Sequence, residues 1–223
     1  MCGRFALAQQ LSGLAMLVEN EVSTQLIEDF EPSWNIAPKH KIPTVTFDVK
    51  TQVKQLCLAT WGLRPSWSSP SKIEPINAQI ETASSKPMFR QSWNSRRCII
   101  PFDGWFEWKS TPLGKQPFFI HVESKQPVFF AGLWDQWLDK EADTSIISTV
   151  ILTTEATESL KDVHHRMPVL VGLNQLDAWL EFGEFKNHDS ISYTFYPVSK
   201  KVNSVGNDGP DLVDRVTGLG DYW

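Results

Sequence analysis

At 223 residues, with 41% hydrophobic and 21% charged side chains, the chain has the composition of an ordinary globular protein and a length suited to one domain with a continuous core, which excludes general disorder. A net charge of −5 argues against a generally sticky nucleic-acid binder, whose affinity rests on neutralising phosphates. Cys2, Cys57 and Cys98 are odd in number, widely spaced and free of any C-x-x-C pair, so a reducing cytosol fits better than a disulfide framework or a zinc site.

No stretch reads as a signal peptide or reaches membrane-spanning length, so a cytoplasmic protein that is not secreted and touches no membrane is expected. Taken in chain order, "MCGRF" comes first. Aminopeptidases remove an initiator methionine when the next side chain is small, so a mature chain beginning at Cys2 is expected. Such a residue carries an amine titrating at roughly 7.7 to 8.0 and a thiol near about 8.5 on neighbouring atoms. An aldehyde can condense with the amine, and the thiolate can then close on the imine carbon to a five-membered thiazolidine, the second step being intramolecular. An internal cysteine cannot do this.

A helical pattern over "LAQQLSGLAMLVEN" is followed by "SWNIAP" at 33–38, a polar group in an apolar setting. Two strand-like runs come next, "IPTVTFDV" and "QVKQLCLATW", then the loop-like "SWSSPSKIEP". In "INAQIET", Asn77 is placed to hydrogen-bond a substrate oxygen or to cap a turn. A helix is expected over "KPMFRQSWNSR" and a strand over "RCIIPFDGWFEW". Within that strand Glu107 lies between Phe106 and Trp108 and shares a face with Trp105 and Lys109; either it points at water from an edge strand, or on partly dry ground its protonated form is favoured, as a general acid/base near neutrality requires.

Further strands read from "PFFIHVES", "PVFFAGLW", "SIISTVILTT" and "ISYTFYPVS", and helices from "EATESLKDV" and "LNQLDAWLEF". Between them "VHHRMP" offers His164 or His165 as a proton carrier on a loop stiffened by Pro168. The Gly- and Asp-rich tail after about residue 205 is expected to be mobile. More strands than helices, short polar turns and the absence of G-x-G-x-x-G or a P-loop indicate an α+β domain spanning 1–223 on antiparallel sheet. No motif calls for a metal or other cofactor, and a monomer is the default expectation.

Between Thr60 and Ser110 seven Lys and Arg (Arg64, Lys72, Lys86, Arg90, Arg96, Arg97, Lys109) face four acids, a local +3 in an acidic chain, and five of the ten tryptophans fall there. Cations interleaved with aromatics suit single-stranded nucleic acid, although most tryptophans bury their large area in a core.

Together "MCGRF", "WNIAP", "WGLRPSW", "NAQIET", "MF", "RCIIPFDGWFEW", "KQPFFI", "HHRMP" and "PVS" resemble, in order and over nearly the whole chain, the SRAP family (SOS response-associated peptidase). The resemblance implies a mainly antiparallel, barrel-like core flanked by a few helices. It also implies an enzyme that traps the aldehyde of an abasic site in single-stranded DNA as a thiazolidine crosslink, shielding the lesion, with nucleoid association when bound to DNA. On this basis Cys2 is the crosslinking residue, with Asn77, Glu107 and His164 as its catalytic partners. Arg4, Trp67, Gln79, Phe89, Arg90 and Arg166 fall on the DNA-binding side. Gln79 stands where the family usually has arginine and Trp67 precedes Ser68 where a relative has a second tryptophan, so weaker and less salt-sensitive DNA binding is implied. Two rival readings stay open: an N-terminal-cysteine peptidase or amidohydrolase, including self-removal of Met1, and a non-covalent reader of single-stranded or modified DNA.

Overall fold

The computed structural model describes residues 2–9, 14, 17–18, 29–69, 74–124, 126–139, 143–185 and 191–217. The helix expected over 7–20 lies largely outside them. Thirteen strands are described: β1 (Phe5–Leu7), β2 (Ser33–Ile36), β3 (Lys41–Asp48), β4 (Val53–Trp61), β5 (Asn77–Gln79), β6 (Arg96–Pro101), β7 (Gly104–Thr111), β8 (Gly114–Val122), β9 (Val128–Asp139), β10 (Thr144–Glu155), β11 (Arg166–Pro168), β12 (Leu170–Gly172) and β13 (Tyr193–Pro197). The α-helices are α1 (Ile80–Ala83) and α2 (Pro87–Ser95), the latter started by Pro87 at a position where its missing N–H costs nothing.

A ring of five strands closes on itself. β3 pairs with β4 and β6, β6 with β9, β9 with β10, and β10 returns to β4 in the one parallel contact of the ring. Closure removes the free edges that an open sheet would expose. Beside the ring stands a five-stranded antiparallel sheet in the order β13-β8-β7-β1-β2. The α+β, mainly antiparallel and barrel-like architecture expected from sequence is the one observed.

The two sheets share one core. Phe5 of β1 meets Trp61 of β4 edge-to-face at 5.2 Å and Phe130 of β9 at 5.7 Å, while Phe102 stacks on Phe130 at 3.8 Å. Phe5, Trp61 and Phe130 are fully buried, and each contributes roughly 2 kcal/mol from buried area alone. Strand alternation puts Ala6, Phe106 and Phe119 on the other face of the five-stranded sheet, where Val198 and Val202 cover them.

The single run "RCIIPFDGWFEW" splits into two strands of different sheets, β6 in the ring and β7 outside it. Gly104 permits the crossing, since a Cβ there would sit against the Phe119 ring and 2.7 Å from the Ile120 carbonyl oxygen. The helix expected from "EATESLKDV" is instead a succession of turns over 158–163, and "LNQLDAWLEF" winds as a 3₁₀ turn (Leu173–Gln175) followed by a π-helical stretch (Ala178–Phe182). The tail expected to be mobile is held down over 206–217: Val198 bridges Arg215, the Trp34 N–H donates to Asp208 Oδ1 at 2.7 Å, and Leu212 is buried. Residues 218–223 lie outside the described residues.

Candidate active site at the end of the barrel

Because β1 runs antiparallel to β7, with Phe5 opposite Trp105 and the Phe106 N–H donating to the Arg4 carbonyl at 3.0 Å, the residues before Phe5 lie against those after Trp105. Cys2 is thereby brought to Glu107. Cys2 is fully buried, and burial, reinforced by the Glu107 charge, pushes its thiol well above the ordinary range. At neutral pH the thiol is protonated and needs a base before it can act as a nucleophile.

Glu107 is 3% exposed, and burial raises its carboxyl to about 7, the positive chain terminus acting in the opposite sense. A carboxyl titrating there can exchange protons near neutrality.

The end of β10 carries the other two groups. β5 runs parallel along one side of it, with Ile151 opposite Asn77, and β11 runs antiparallel to the same stretch, with Thr153 opposite Pro168. Asn77 Nδ2 donates to the Cys2 carbonyl at 2.6 Å, while Asn77 Oδ1 is buried without a protein partner. His164, delivered by the turns before β11, accepts the Arg166 N–H at Nδ1 over 3.0 Å. The same Nδ1 lies 3.2 Å from the Arg166 carbonyl oxygen, so it can accept the N–H or donate to the carbonyl according to the tautomer. Burial first, then the charges of the chain terminus and of His165, whose ring stacks on it at 4.4 Å, hold His164 down to about 4. At pH 7 the ring is neutral.

The residues expected to bind DNA divide. Trp67 is 56% exposed, and Gln79 and Arg90 face solvent. Phe89 does not; it is 7% exposed and packs in the core, because α2 turns its Phe89 and Ser92 side inward. Arg166 is 8% exposed and committed to a bidentate pair with Glu81, both contacts 2.9 Å, and to the Thr153 carbonyl at 2.6 Å. Arg4 Nη1 donates to Asn35 Oδ1 at 2.6 Å and to the Val202 carbonyl at 2.8 Å.

Much of the basic island is likewise engaged internally. Arg64 pairs with Glu74, Arg96 with the fully buried Asp135, and Arg97 donates to the carbonyls of Trp93, Leu180 and Glu181. Lys86 and Arg90 remain exposed. Trp61 and Trp105 are fully buried.

One residue escaped sequence reading. Asp135 is a buried hub signalled only by a polar letter inside the apolar "GLWDQW"; Asn35, buried in the "WNIAP" that stood out as a polar group in an apolar setting, is a second such hub whose partners the sequence does not name. No three His, Cys, Asp or Glu side chains among the described residues converge to hold a metal, and no helix among them is long and apolar enough to cross a membrane.

The motifs and the geometry meet in the comparison with known proteins: the family model described as SOS response associated peptidase (SRAP) matches residues 1–205. The chain belongs to the SRAP family. Among relatives, the abasic site processing protein YoqW of Bacillus subtilis is 34% identical, with 96% of this chain and 99% of that protein covered. YedK of Escherichia coli, named likewise, is 30% identical over 97% and 100%, and chicken HMCES 30% identical over 82% of this chain and 66% of its own length. A crystal structure of a protein from Bacteroides thetaiotaomicron superposes with a TM-score of 0.81 at 23% identity, covering 97% of this chain and all of the other, which shows that the two share a fold.

Proposed function

We propose that the protein processes abasic sites in single-stranded DNA by forming a thiazolidine crosslink through Cys2 once Met1 has been removed. The observation that carries this reading is the convergence on Cys2 of Asn77, bonded to its carbonyl, and Glu107, a carboxyl buried beside its thiol and titrating near 7. Relatives across most of the chain are named abasic site processing proteins, which supports the same substrate.

The steps follow from the groups present. Neutral His164 gives a proton to the ring oxygen and recovers one from the anomeric hydroxyl as the sugar opens to its aldehyde. The Cys2 amine attacks the aldehyde carbon, and Glu107 in its protonated form gives its proton to the departing hydroxyl, releasing water and leaving a protonated imine. Glu107, now ionised, accepts the thiol proton as sulfur adds to the imine carbon, which returns the carboxyl to its protonated form and leaves the ring nitrogen as a neutral N–H. One water leaves overall and no oxidant is needed. Asn77 keeps the Cys2 backbone fixed through both steps, which favours ring closure as an intramolecular event. With the imine consumed, the route to strand cleavage by elimination is closed. Trp67 offers an exposed ring for base stacking, and Gln79, Lys86 and Arg90 are exposed polar and cationic side chains that would meet the strand's phosphates.

Mixing Met1-trimmed protein with an abasic single-stranded oligonucleotide tests the reading on a denaturing gel. A retarded band is expected, lost in Cys2→Ala and in chains that keep Met1. Native-gel binding without covalent retention would instead favour a non-covalent reader, and release of an amide product an amidohydrolase.

A further inference from the structure

"WNIAP" has no part in the chemistry above, yet its asparagine occupies a distinctive position. Asn35 is 1% exposed. Its Nδ2 donates to the carbonyls of Asn207 at 2.7 Å and Ser204 at 3.0 Å, with Val202 at 3.4 Å, all in the segment that covers the outer face of the five-stranded sheet. Its Oδ1 accepts Arg4 Nη1 at 2.6 Å, and the same Nη1 reaches the Val202 carbonyl. The amide orientation is forced, since three carbonyls need a donor and a guanidinium needs an acceptor.

Arg4 is two residues from Cys2 and its carbonyl accepts the Phe106 N–H, one residue from Glu107. Asn35 thus fixes, through Arg4, the stretch of chain that sets how the Cys2 thiol stands against the Glu107 carboxylate. We infer that Asn35 is a positioning residue for the thiol-addition step of the crosslink, acting through Arg4; the inference rests on the function proposed above. Nitrogen attack on an aldehyde tolerates some displacement, because the sugar carbon can follow the amine. Closure by sulfur does not, because the thiol is protonated and must deliver its proton to one buried carboxylate. A displacement of about 1 Å at such a step can cost up to about a hundredfold in rate.

The consequence is a change in product, not only in yield. Borohydride reduces an imine to a stable amine crosslink and leaves a thiazolidine untouched, so the fraction of crosslink that requires hydride measures how long the imine waits. Trimmed parent protein, Asn35→Ala and Asn35→Asp are each mixed with an abasic single strand, quenched with or without borohydride over a time course, and melted in parallel. The parent should give almost entirely hydride-independent crosslink. Asn35→Ala should close at least about tenfold more slowly, with the hydride-dependent fraction dominating early times. Asn35→Asp keeps an acceptor for Arg4 while setting a carboxylate against three carbonyls. It should melt lower than Asn35→Ala yet close the ring nearly as fast as the parent. If instead the hydride-dependent fraction is the same in all three, or follows the melting temperatures so that Asn35→Asp is the slowest closer, Asn35 is merely structural and the inference is overturned. A parent protein that gives no crosslink in either quench would overturn the proposed function itself, a different result from either of these.

Discussion

Polar groups in the barrel wall and polar groups around Cys2 are treated in opposite ways. In the wall each buried hub is supplied with partners: Asp135 accepts from Arg96 and from the Ser66 N–H at 3.0 Å, Arg97 reaches three carbonyls, and Thr149 donates to the Leu133 carbonyl at 3.0 Å. Around the candidate site, buried Arg4 Nε, Asn77 Oδ1, Trp105 Nε1 and Arg166 Nε have no hydrogen-bond partner. Each belongs to, or lies within two residues of, Cys2, Asn77, Glu107 or His164. A buried polar atom left without any partner costs roughly 1–3 kcal/mol, so side-chain atoms that lack a protein partner are expected to meet water or substrate, and among the described residues these four gather where chemistry is proposed. Stability and function are thereby assigned to different regions, and substitutions should separate them.

The largest separation is expected at Glu107. Glu107→Gln should slow crosslinking by about 10²- to 10⁴-fold, measured as single-turnover band formation, because it removes the group that both gives and takes protons. Its effect on stability has the reverse sign. Burial lifts the folded-state pKa to about 7 from an ordinary 4.5. The native carboxyl keeps its proton while the unfolded one releases it, so stability falls as pH rises between those values and stays low above 7. Glu107→Gln should therefore melt higher than the parent at pH 8 and about equally at pH 4; a lower melting temperature at pH 8 would break the comparison.

Asp135→Asn should do the converse. Removing one partner of the pair with Arg96 is expected to cost about 3 kcal/mol in denaturant unfolding, with the crosslinking rate of the folded protein unchanged. A collapse of that rate at unchanged stability would place Asp135 in the site. At the rim, Trp67→Ala should weaken single-strand affinity by about 1–3 kcal/mol, read by fluorescence titration, and leave the melting temperature alone, since the ring is already exposed. Smallest of all, Gln79→Arg should tighten binding slightly and steepen the salt dependence by about 0.7 in log–log slope. An unchanged slope would mean that position 79 does not meet a phosphate.

How much of this was legible in the sequence depended on whether local pattern or distant pairing decided the outcome. β3, β4 and β8 to β10 were readable because alternation and β-branched content are local properties, and "PMFRQSWNS" announced α2 through its proline and its apolar spacing. Cys2 and Glu107 could be proposed from sequence because the chemistry proposed for them needs only a terminal position and aromatic neighbours. The cationic island misled, because charge counted along the chain cannot show that Arg64, Arg96 and Arg97 find their acceptors at Glu74, Asp135 and the carbonyls near residue 180. Phe89 misled for a related reason: which side of a nine-residue helix faces inward is set by β6 and β9 against it. "SWNIAP" stood out as a polar group in an apolar setting, but the partners of Asn35 in the covering segment after Val198 were not legible, since four hydrogen bonds between residues about 30 and 170 positions apart leave no local trace.

Intact mass spectrometry of the trimmed protein after reaction with an abasic single strand bears most directly on the central claim that an amine and thiol at Cys2 capture the sugar aldehyde. The account predicts one adduct equal to protein plus oligonucleotide minus a single water, stable without reductant and located on the peptide that begins at Cys2. An unreacted protein mass, or an adduct on a lysine that survives Cys2→Ala, would contradict it.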